Sequence, residues 1–398
     1  MKTILGAGER WNAPDFSDEE YATRHRRVRA AMTKSGIDVL IVIDPRSIHY
    51  LTGYRGKAYQ EFQCVFFSLD DKALPAICRV AEVIEYEQQP LIGEVHGFSG
   101  NLPVEQMEVF ANVLASLKLD GARLGCEYPA SFLTYRDYGE LQRIFAGRHV
   151  VDATKLIPEI KKVKSPAEIA MMRTATKWLD AGMYACVEAA VPGNTEHQVA
   201  AAVYHTMLSL GSDVPPSPIN IGTGDRTALP HPLPTERVLR AGDFMHVEFA
   251  AAYHRYTVSM GRNLCLGKPT AKMREIHDKT LEACDAAIAA VRPGVSSAVP
   301  HQAARKVMLD SGWEYGRLHA SGYGLGVGFP PNFAEYGFVF DQYPYEPVDL
   351  EAGMLITIEP PIFAADLCLG ARHIDNVLVT ATGAEILSSV PRELLIAG

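Results

Sequence analysis

The sequence has no C-x-x-C pair: Cys64, Cys78, Cys126, Cys186, Cys265, Cys284 and Cys368 stand singly and are odd in number. That spacing argues against a disulfide framework or a thiolate zinc site, and a reducing cytoplasm is the expected location. Long apolar runs are also missing. No stretch approaches the ~18 residues of a membrane span, and no charged-then-apolar leader opens the chain. Positive charge is in deficit, with 38 Lys and Arg against 47 Asp and Glu and a formal net charge of −9. Neither nucleic acid nor an anionic membrane is an expected partner. What is present is ordinary for a globular protein: 398 residues, 47% hydrophobic and 21% charged, enough for two domains or one large one.

The first 150 or so residues alternate helix and strand patterns, which predicts a layered α/β unit. SDEEYATRHRRVRAAMTKSG (17–36) begins with a Ser17…Glu20 capping box and stops at Gly36. DVLIVID (38–44), QCVFFSL (63–69) and LGCE (124–127) read as short strands. A boundary falls near KKVKSPAEI (161–169), where Ser165, Pro166 and Glu168 supply N-cap, N1 and N3 of a new helix. Beyond it the sequence rhymes with itself. AAVPGN (189–194) returns as AAVRPGV (289–295), each after one long helix and before a second. A duplicated helix-helix-strand unit accounts for the rhyme, and coincidence between two helix-ending Pro-Gly turns is the alternative.

Four segments of the second half combine polar residues with strand-like or Gly-rich surroundings. In LPHPLPTERV (229–238), His231 sits between prolines that stiffen the loop. It is either a solvated loop histidine or a proton carrier near neutral pH. In HVEFAAAYHRYTVSMGR (246–262), Glu248 opens an apolar pair of strands. A buried carboxylate needs a partner. Arg255 or Arg262 would make it structural, and a shifted pKa would make it a base or nucleophile. SGYGLGVGFPPNFAEYG (321–337) is Gly-rich, but it follows no clear strand and opens no helix, so a phosphate loop is rejected. Tyr323 projecting toward a ligand fits it better. Finally, Glu359 ends the apolar strand of GMLITIEPPIF (353–363), ahead of Arg372, His373 and Asp375. It is either a site residue or a capped strand end.

Taken together, these segments resemble the creatinase/aminopeptidase family, whose catalytic domain has the pita-bread fold. The resemblance runs over nearly the whole chain, through VKSPAEI, the AAVxPG turns, AGDFMHVEFAAAYHRYTVSMGR, the Gly-rich loop, LEAGMLITIEPPIF and GARHIDNVLVTATG. It implies an α/β (α+β) protein: an N-terminal creatinase-like α/β domain over 1–160, then a pita-bread catalytic domain over 161–398 with pseudo-twofold duplicated units. Peptidase members carry two metal ions on two Asp, one His and two Glu. The matching positions here hold Glu248, Ser259, Tyr323, Glu359 and Ile374. Serine and isoleucine cannot replace bridging carboxylates, and tyrosine is a poor substitute for histidine. The resemblance therefore implies the metal-free branch, with no metal and no other cofactor.

Within that branch the chain is most similar to ectoine hydrolases and next to creatinase. It shares TGYRGKAYQEFQCV (52–65), EFAAAYHRY and FPPNFAE with the former. The implied activity is hydrolysis of a non-peptide C–N bond in a small solute, a cyclic amidine. Glu248 would be nucleophile or base, His231 the proton shuttle, and Glu359 a holder of the cationic ring or of the histidine. Tyr323 and Arg262 would orient the substrate, and Arg372 or Arg262 would take a substrate carboxylate. In this family the partner subunit's N-terminal domain covers the cleft. A homodimer is therefore implied, with Tyr54, Glu61 and Gln63 reaching the neighbouring site. Three other readings stand beside this one. They are a creatinase-like amidinohydrolase, an Xaa-Pro dipeptidase-like metallohydrolase with a degenerate site on Glu248, Glu359 and His231, and a non-catalytic binding module.

Overall fold

Ser17 starts the first described helix by accepting a hydrogen bond from Glu20 N (3.3 Å), while the Glu20 carboxylate pairs with Arg24 Nε at 2.9 Å. The fold is that of a computed structural model, which describes residues 14–70, 73–102, 104–119, 121–318, 320–332, 334–335 and 347–398. Phe333, and the end of the Gly-rich segment at 336–337, lie outside the described residues. Two units divide the chain, one ending at Lys161 and the other beginning at Lys162.

In the first unit, α1 (Asp18–Ser35) ends at Gly36, whose φ of 64° satisfies a left-handed C-cap. There follow β1 (Val39–Val42), α2 (Pro45–Thr52), β2 (Cys64–Ser68), β3 (Leu74–Arg79), α3 (Val83–Glu87) and β4 (Ile92–Phe98). Then come α4 (Glu105–Ser116), β5 (Arg123–Cys126), α5 (Tyr135–Ile144), β6 (His149–Asp152) and α6 (Leu156–Lys161). The strands form one mixed six-stranded sheet in the order β4-β3-β2-β1-β5-β6. All four residues of β1 are buried, because Leu40 and Val42 enter one core while Val39 and Ile41 enter another. A strand covered on both faces reads as a continuous apolar run, which is why DVLIVID is legible as a strand but not as an alternating one.

The second unit opens with α7 (Pro166–Ala189) on a complete capping box. Ser165 Oγ accepts from Glu168 N (3.2 Å) and Glu168 Oε2 accepts from Ser165 N (2.9 Å). Next come α8 (Glu196–Ser209), β7 (Asn220–Thr223), β8 (Phe244–Tyr253) and β9 (Tyr256–Leu266), then α9 (Ala271–Ala290) and α10 (Ala298–Asp310). The unit ends with β10 (Leu355–Ile358), β11 (Ile362–Ala364), β12 (Leu369–Ala371), β13 (Asp375–Val379), β14 (Ala384–Ile386) and β15 (Leu395–Ala397). Among the described residues no helix is long and apolar enough to cross a membrane.

The sequence rhyme corresponds to a duplicated arrangement. After α7 and α9 the chain turns at Gly193 (φ 101°) and Gly294 (φ 81°), and their N–H groups donate to Leu239 O (3.0 Å) and Leu350 O (2.8 Å). Each leucine returns a bond, to Asn194 O and Val295 O, both at 2.8 Å. Shortly after, Gly242 (φ 87°) and Gly353 (φ 95°) lead into β8 and β10. Each of these glycines is followed six positions later by a glutamate, Glu248 and Glu359. The four-stranded sheet β15-β9-β8-β7 and the three-stranded sheet β10-β13-β14 meet through a reciprocal pair. Gly261 N donates to Ile374 O (3.4 Å) and Ile374 N to Gly261 O (3.0 Å).

Candidate active site

Strand pairing builds the site. β8 pairs antiparallel with β9 so that Glu248 faces Gly261 and Ala250 faces Ser259. Cross-strand partners share a face of the sheet, which puts all four on one side. β7 sets Asn220 opposite Glu248, and Asn220 Nδ2 donates to Glu248 Oε2 at 3.0 Å. In the second hairpin one register runs from Ile358↔Asp375 to Ile362↔Ala371 across the Glu359-Pro360-Pro361 interruption. Glu359 is thereby set opposite Ile374. In extended backbone, alternate side chains point to opposite faces. Arg372 and Ile374 accordingly share the Glu248 face, and His373 and Asp375 turn away.

Arg372 is the centre of the cluster. Its Nη1 donates to Glu248 Oε2 at 2.5 Å and to the Pro230 carbonyl at 3.2 Å, and its Nη2 lies 3.6 Å from Glu359 Oε1. Its backbone N–H donates to Asn263 Oδ1 at 2.9 Å. Burial pushes the Glu359 carboxyl up to about 8, with Arg372 opposing the rise and Glu248 adding to it. Burial likewise holds the Tyr323 phenol well above its ordinary value, reinforced by Glu359 and Glu248. Burial therefore favours the protonated form of Glu359, and Tyr323 keeps its phenolic proton at neutral pH.

The loop that carries His231 is tied down at three points. Ile221 N donates to Pro232 O (2.8 Å), Arg372 Nη1 to Pro230 O, and His246 Nε2 meets Leu229 O at 3.1 Å. Gly222 is required beneath it, since a Cβ there would stand 2.8 Å from Arg226 O and 2.9 Å from Pro232 Cγ. His231 itself is exposed to solvent on one side. The protein enclosing its other side, then the Arg372 charge, pull the ring below the ordinary histidine range, and Glu248 opposes them.

The structure therefore brings Glu248, Glu359, Tyr323, Arg372 and the His231 loop together. Arg262 does not join them. On β9 it is opposite Val247, so it points to the other face of the sheet. There Nη2 pairs with Asp375 Oδ1 at 2.9 Å, Nη1 bonds the Gly261 and Ile374 carbonyls, and Nε bonds Pro391 O. Burial alone would raise the Asp375 carboxyl, but His373, Arg262 and Arg392 hold it well below the usual range. Arg262 is thus a buried structural cation, which corrects its expected role as a substrate contact. Arg372 is corrected too. It is 2% exposed and engaged with Glu248 and the Pro230 carbonyl, so it is an internal partner of the site and not an open receptor for a substrate carboxylate. Arg255 sits in the turn between β8 and β9, with its guanidinium over the Phe329 ring, 4.5 Å from the centroid.

Within the first unit, Tyr54 and Gln63 are core residues. The Tyr54 ring stacks on Tyr86 (centroids 4.0 Å apart) and its hydroxyl donates to Glu85 Oε2 at 3.1 Å. Tyr86 Oη donates to Gln63 Oε1 at 2.8 Å. Both are nearly inaccessible, at 3% and 2% exposure, which corrects the expectation that they reach a neighbour's site. Glu61 remains at the surface, where with Phe62, Tyr135 and Arg136 it lines a cavity of 770 Å³.

Two residues escaped the sequence reading. His246 precedes Glu248 by two positions on the same strand face, so the period of β8 was a usable signal for it. Burial pushes its ring down to about 3, with Arg372 next in effect, so it is a neutral hydrogen-bonding group. Asn220 gave no such signal, because only the β7–β8 register brings it to Glu248.

The donor set fits poorly to the dinuclear metal centre that peptidase members of the family carry. Ile374 fills one ligand position with hydrocarbon packed on Gly261, where an added Cβ would stand 2.6 Å from Ile374 Cγ1. Ser259 and Tyr323 hold two more, and the cationic guanidinium of Arg372 is already bound to Glu248. Among the described residues no three His, Cys, Asp or Glu side chains are grouped to hold an ion.

Residues 170–381 match metallopeptidase family M24, and residues 24–163 match the Creatinase/Prolidase N-terminal domain. The chain is 30% identical to the uncharacterized hydrolase/peptidase y4tM of Sinorhizobium fredii, over 96% of this chain and 98% of that one. It is 27% identical to an Xaa-Pro dipeptidase of Pyrococcus furiosus (92% and 97% covered) and 27% identical to the ectoine hydrolase of Halomonas elongata (96% and 98% covered). The dipeptidase PepE of Mycobacterium ulcerans superposes with a TM-score of 0.78 at 26% identity, over 96% of this chain and 99% of that one. The chain belongs to metallopeptidase family M24, a family of hydrolases, with a creatinase/prolidase N-terminal domain ahead of a pita-bread domain.

Proposed function

We propose that the protein is a metal-independent hydrolase that opens a non-peptide C–N bond in a small solute, a cyclic amidine of the ectoine type. The observation that carries this reading is the Glu248–Arg372 ion pair, which stands among Ser259, Tyr323 and Ile374 where family peptidases hold metal ligands. The positive charge that metals would bring is supplied here by a guanidinium.

An amidine carbon is electrophilic when its nitrogens are protonated, and a carboxylate beside it stabilises that cation. Among the described residues, the side-chain hydrogen bonds to Glu248, from Asn220 and Arg372, fall on Oε2. Oε1 is therefore the oxygen available to attack the carbon or to take a proton from water. With Oε1 as base, the water oxygen bonds to the amidine carbon, and His231, a neutral imidazole at pH 7, takes the new hydroxyl proton and passes it to the leaving nitrogen as the C–N bond breaks. With Oε1 as nucleophile, the C–N bond breaks as the ester forms, and water then opens that ester. The protonated Glu359 carboxyl and the Tyr323 hydroxyl act as hydrogen-bond donors on the same face. The reading includes a homodimer in the cytoplasm, which sedimentation velocity and fractionation address.

The dipeptidase relatives favour a second reading, a single-metal hydrolase of Xaa-Pro dipeptides on Glu248, Glu359 and His231. Incubation of metal-analysed protein with ectoine, hydroxyectoine, creatine and an Xaa-Pro dipeptide, before and after chelation, separates the two. Ectoine or hydroxyectoine turnover that survives chelation is the expected result. Turnover of the dipeptide alone, abolished by chelation, overturns the proposal.

A further inference from the structure

The two repeats place Glu248 and Glu359 at equivalent positions, each six residues after a turn glycine and each opposite the residue that joins the two sheets. Two residues before those joining residues, Gly261 and Ile374, the equivalence breaks: one repeat carries Ser259 and the other Arg372. One guanidinium thus serves two glutamates, and unevenly, at 2.5 Å from Glu248 and 3.6 Å from Glu359. The same Nη1 that binds Glu248 also binds the carbonyl of Pro230, the residue preceding His231.

We propose that Arg372 is the positioning residue of this site, holding the Glu248 carboxylate and the His231 loop on one guanidinium and so fixing the base beside the proton carrier. The proposal rests on the roles given above to Glu248 and His231. The geometry suits arginine specifically. A rigid planar fork with five donors can bind a carboxylate and a carbonyl while Nη2 stays near a second carboxyl, whereas a lysine offers one point charge. His246 supports the same loop from β8 through Leu229 O. Glu248, Arg372 and His246 are charged or titratable groups that act with the His231 ring.

The test compares Arg372→Lys, Arg372→Gln and Glu248→Gln with the wild type in two measurements. In turnover, Arg372→Lys is expected to lower kcat about 10²-fold with KM within about threefold, the cost of a misplacement near 1 Å. Added guanidinium ion should restore part of the rate of Arg372→Ala. The second measurement needs no substrate: NMR titration of ¹⁵N-histidine-labelled protein, with the His231 signal assigned by its loss in His231→Gln. Arg372→Gln should raise the His231 titration, and Glu248→Gln, a near-isosteric change that keeps the loop contact, should lower it. The proposal is overturned if Arg372→Lys keeps full kcat, or if neither glutamine variant moves the His231 titration. Failure of the amidine hydrolase reading leaves the titration result standing, so the two ideas fail separately.

Discussion

Arg372 and Glu248, 124 residues apart in the chain, meet at 2.5 Å in a buried ion pair. Arg372 is 2% exposed, and a charge so enclosed is tolerated only when paired and hydrogen-bonded. This contact makes the site chemically unlike a metal centre, and most of the predictions turn on it.

Glu248→Gln should lower turnover of the cyclic amidine by 10²–10⁴-fold, the ordinary contribution of a positioned base or nucleophile. The near-isosteric amide keeps a hydrogen-bond acceptor beside Arg372 but leaves its buried charge uncompensated, so thermal unfolding should shift down while the folded fraction is assayed for rate. Steady-state kinetics on the variant checks this, and full turnover would remove Glu248 from its assigned role.

Chelation should leave the rate unchanged. Elemental analysis of the purified protein is expected to find well under one transition metal ion per site, and added manganese or cobalt should not stimulate. Rate loss on chelation with recovery on metal addition would favour the dipeptidase reading.

Stability should fall on the alkaline side. The Glu359 carboxyl is raised from 4.5 to about 8 in the fold, so the native protein keeps a proton that the unfolded chain loses. Its stabilising contribution is fully present below about 4.5 and is lost as pH rises through about 8. Glu127 in the first unit behaves alike, raised to about 8 by burial and then Asp44. Glu359→Gln should therefore lose less thermal stability than wild type between pH 6 and pH 9, by about a few degrees in Tm. Differential scanning fluorimetry across that range is the measurement, and identical slopes would count against the raised carboxyl.

Gly261→Ala should destabilise the second unit. The added methyl would meet Ile374 Cγ1 at 2.6 Å, and overpacking of this kind costs about 1–3 kcal/mol. Urea unfolding should show the loss, and Ile374→Ala in the same chain should recover part of it. Additive losses would mean that the close approach is relieved elsewhere.

Arg262→Ala tests the corrected role of that residue. Leaving Asp375 with one arginine fewer in a buried network should cost about 3–5 kcal/mol. The kcat/KM of the folded fraction should change less than a substrate contact would require. Urea unfolding together with titration of active sites separates the two effects.

Local physics decides the features that are legible in this sequence. The helix start at Ser165 was legible because a capping box is a contact between residues three apart. The duplication was legible because both copies end a helix with the same Pro-Gly turn, and Gly193 and Gly294 both adopt positive φ there. Glu248, His231, Glu359 and Tyr323 could be nominated from their settings and from the family resemblance. The errors lie elsewhere. Arg262 and Arg372 are both arginines close in sequence to candidate segments, yet they serve opposite faces of the sheet. That assignment depends on strand register, in which a shift of one residue exchanges the faces.

Tyr54 and Gln63 show the same limit in the first unit, where the Tyr86 stack and hydrogen bond draw both into the core. Sequence by itself determined the fold class, the repeat, and the loss of carboxylate and histidine chemistry at Ser259, Tyr323 and Ile374. Those are properties of residue types and short-range order. Only the tertiary structure decided that one guanidinium is shared unequally between Glu248 and Glu359 and also grips the His231 loop. Those partners come from three distant segments, and no local propensity encodes the pairing that brings them within hydrogen-bond reach.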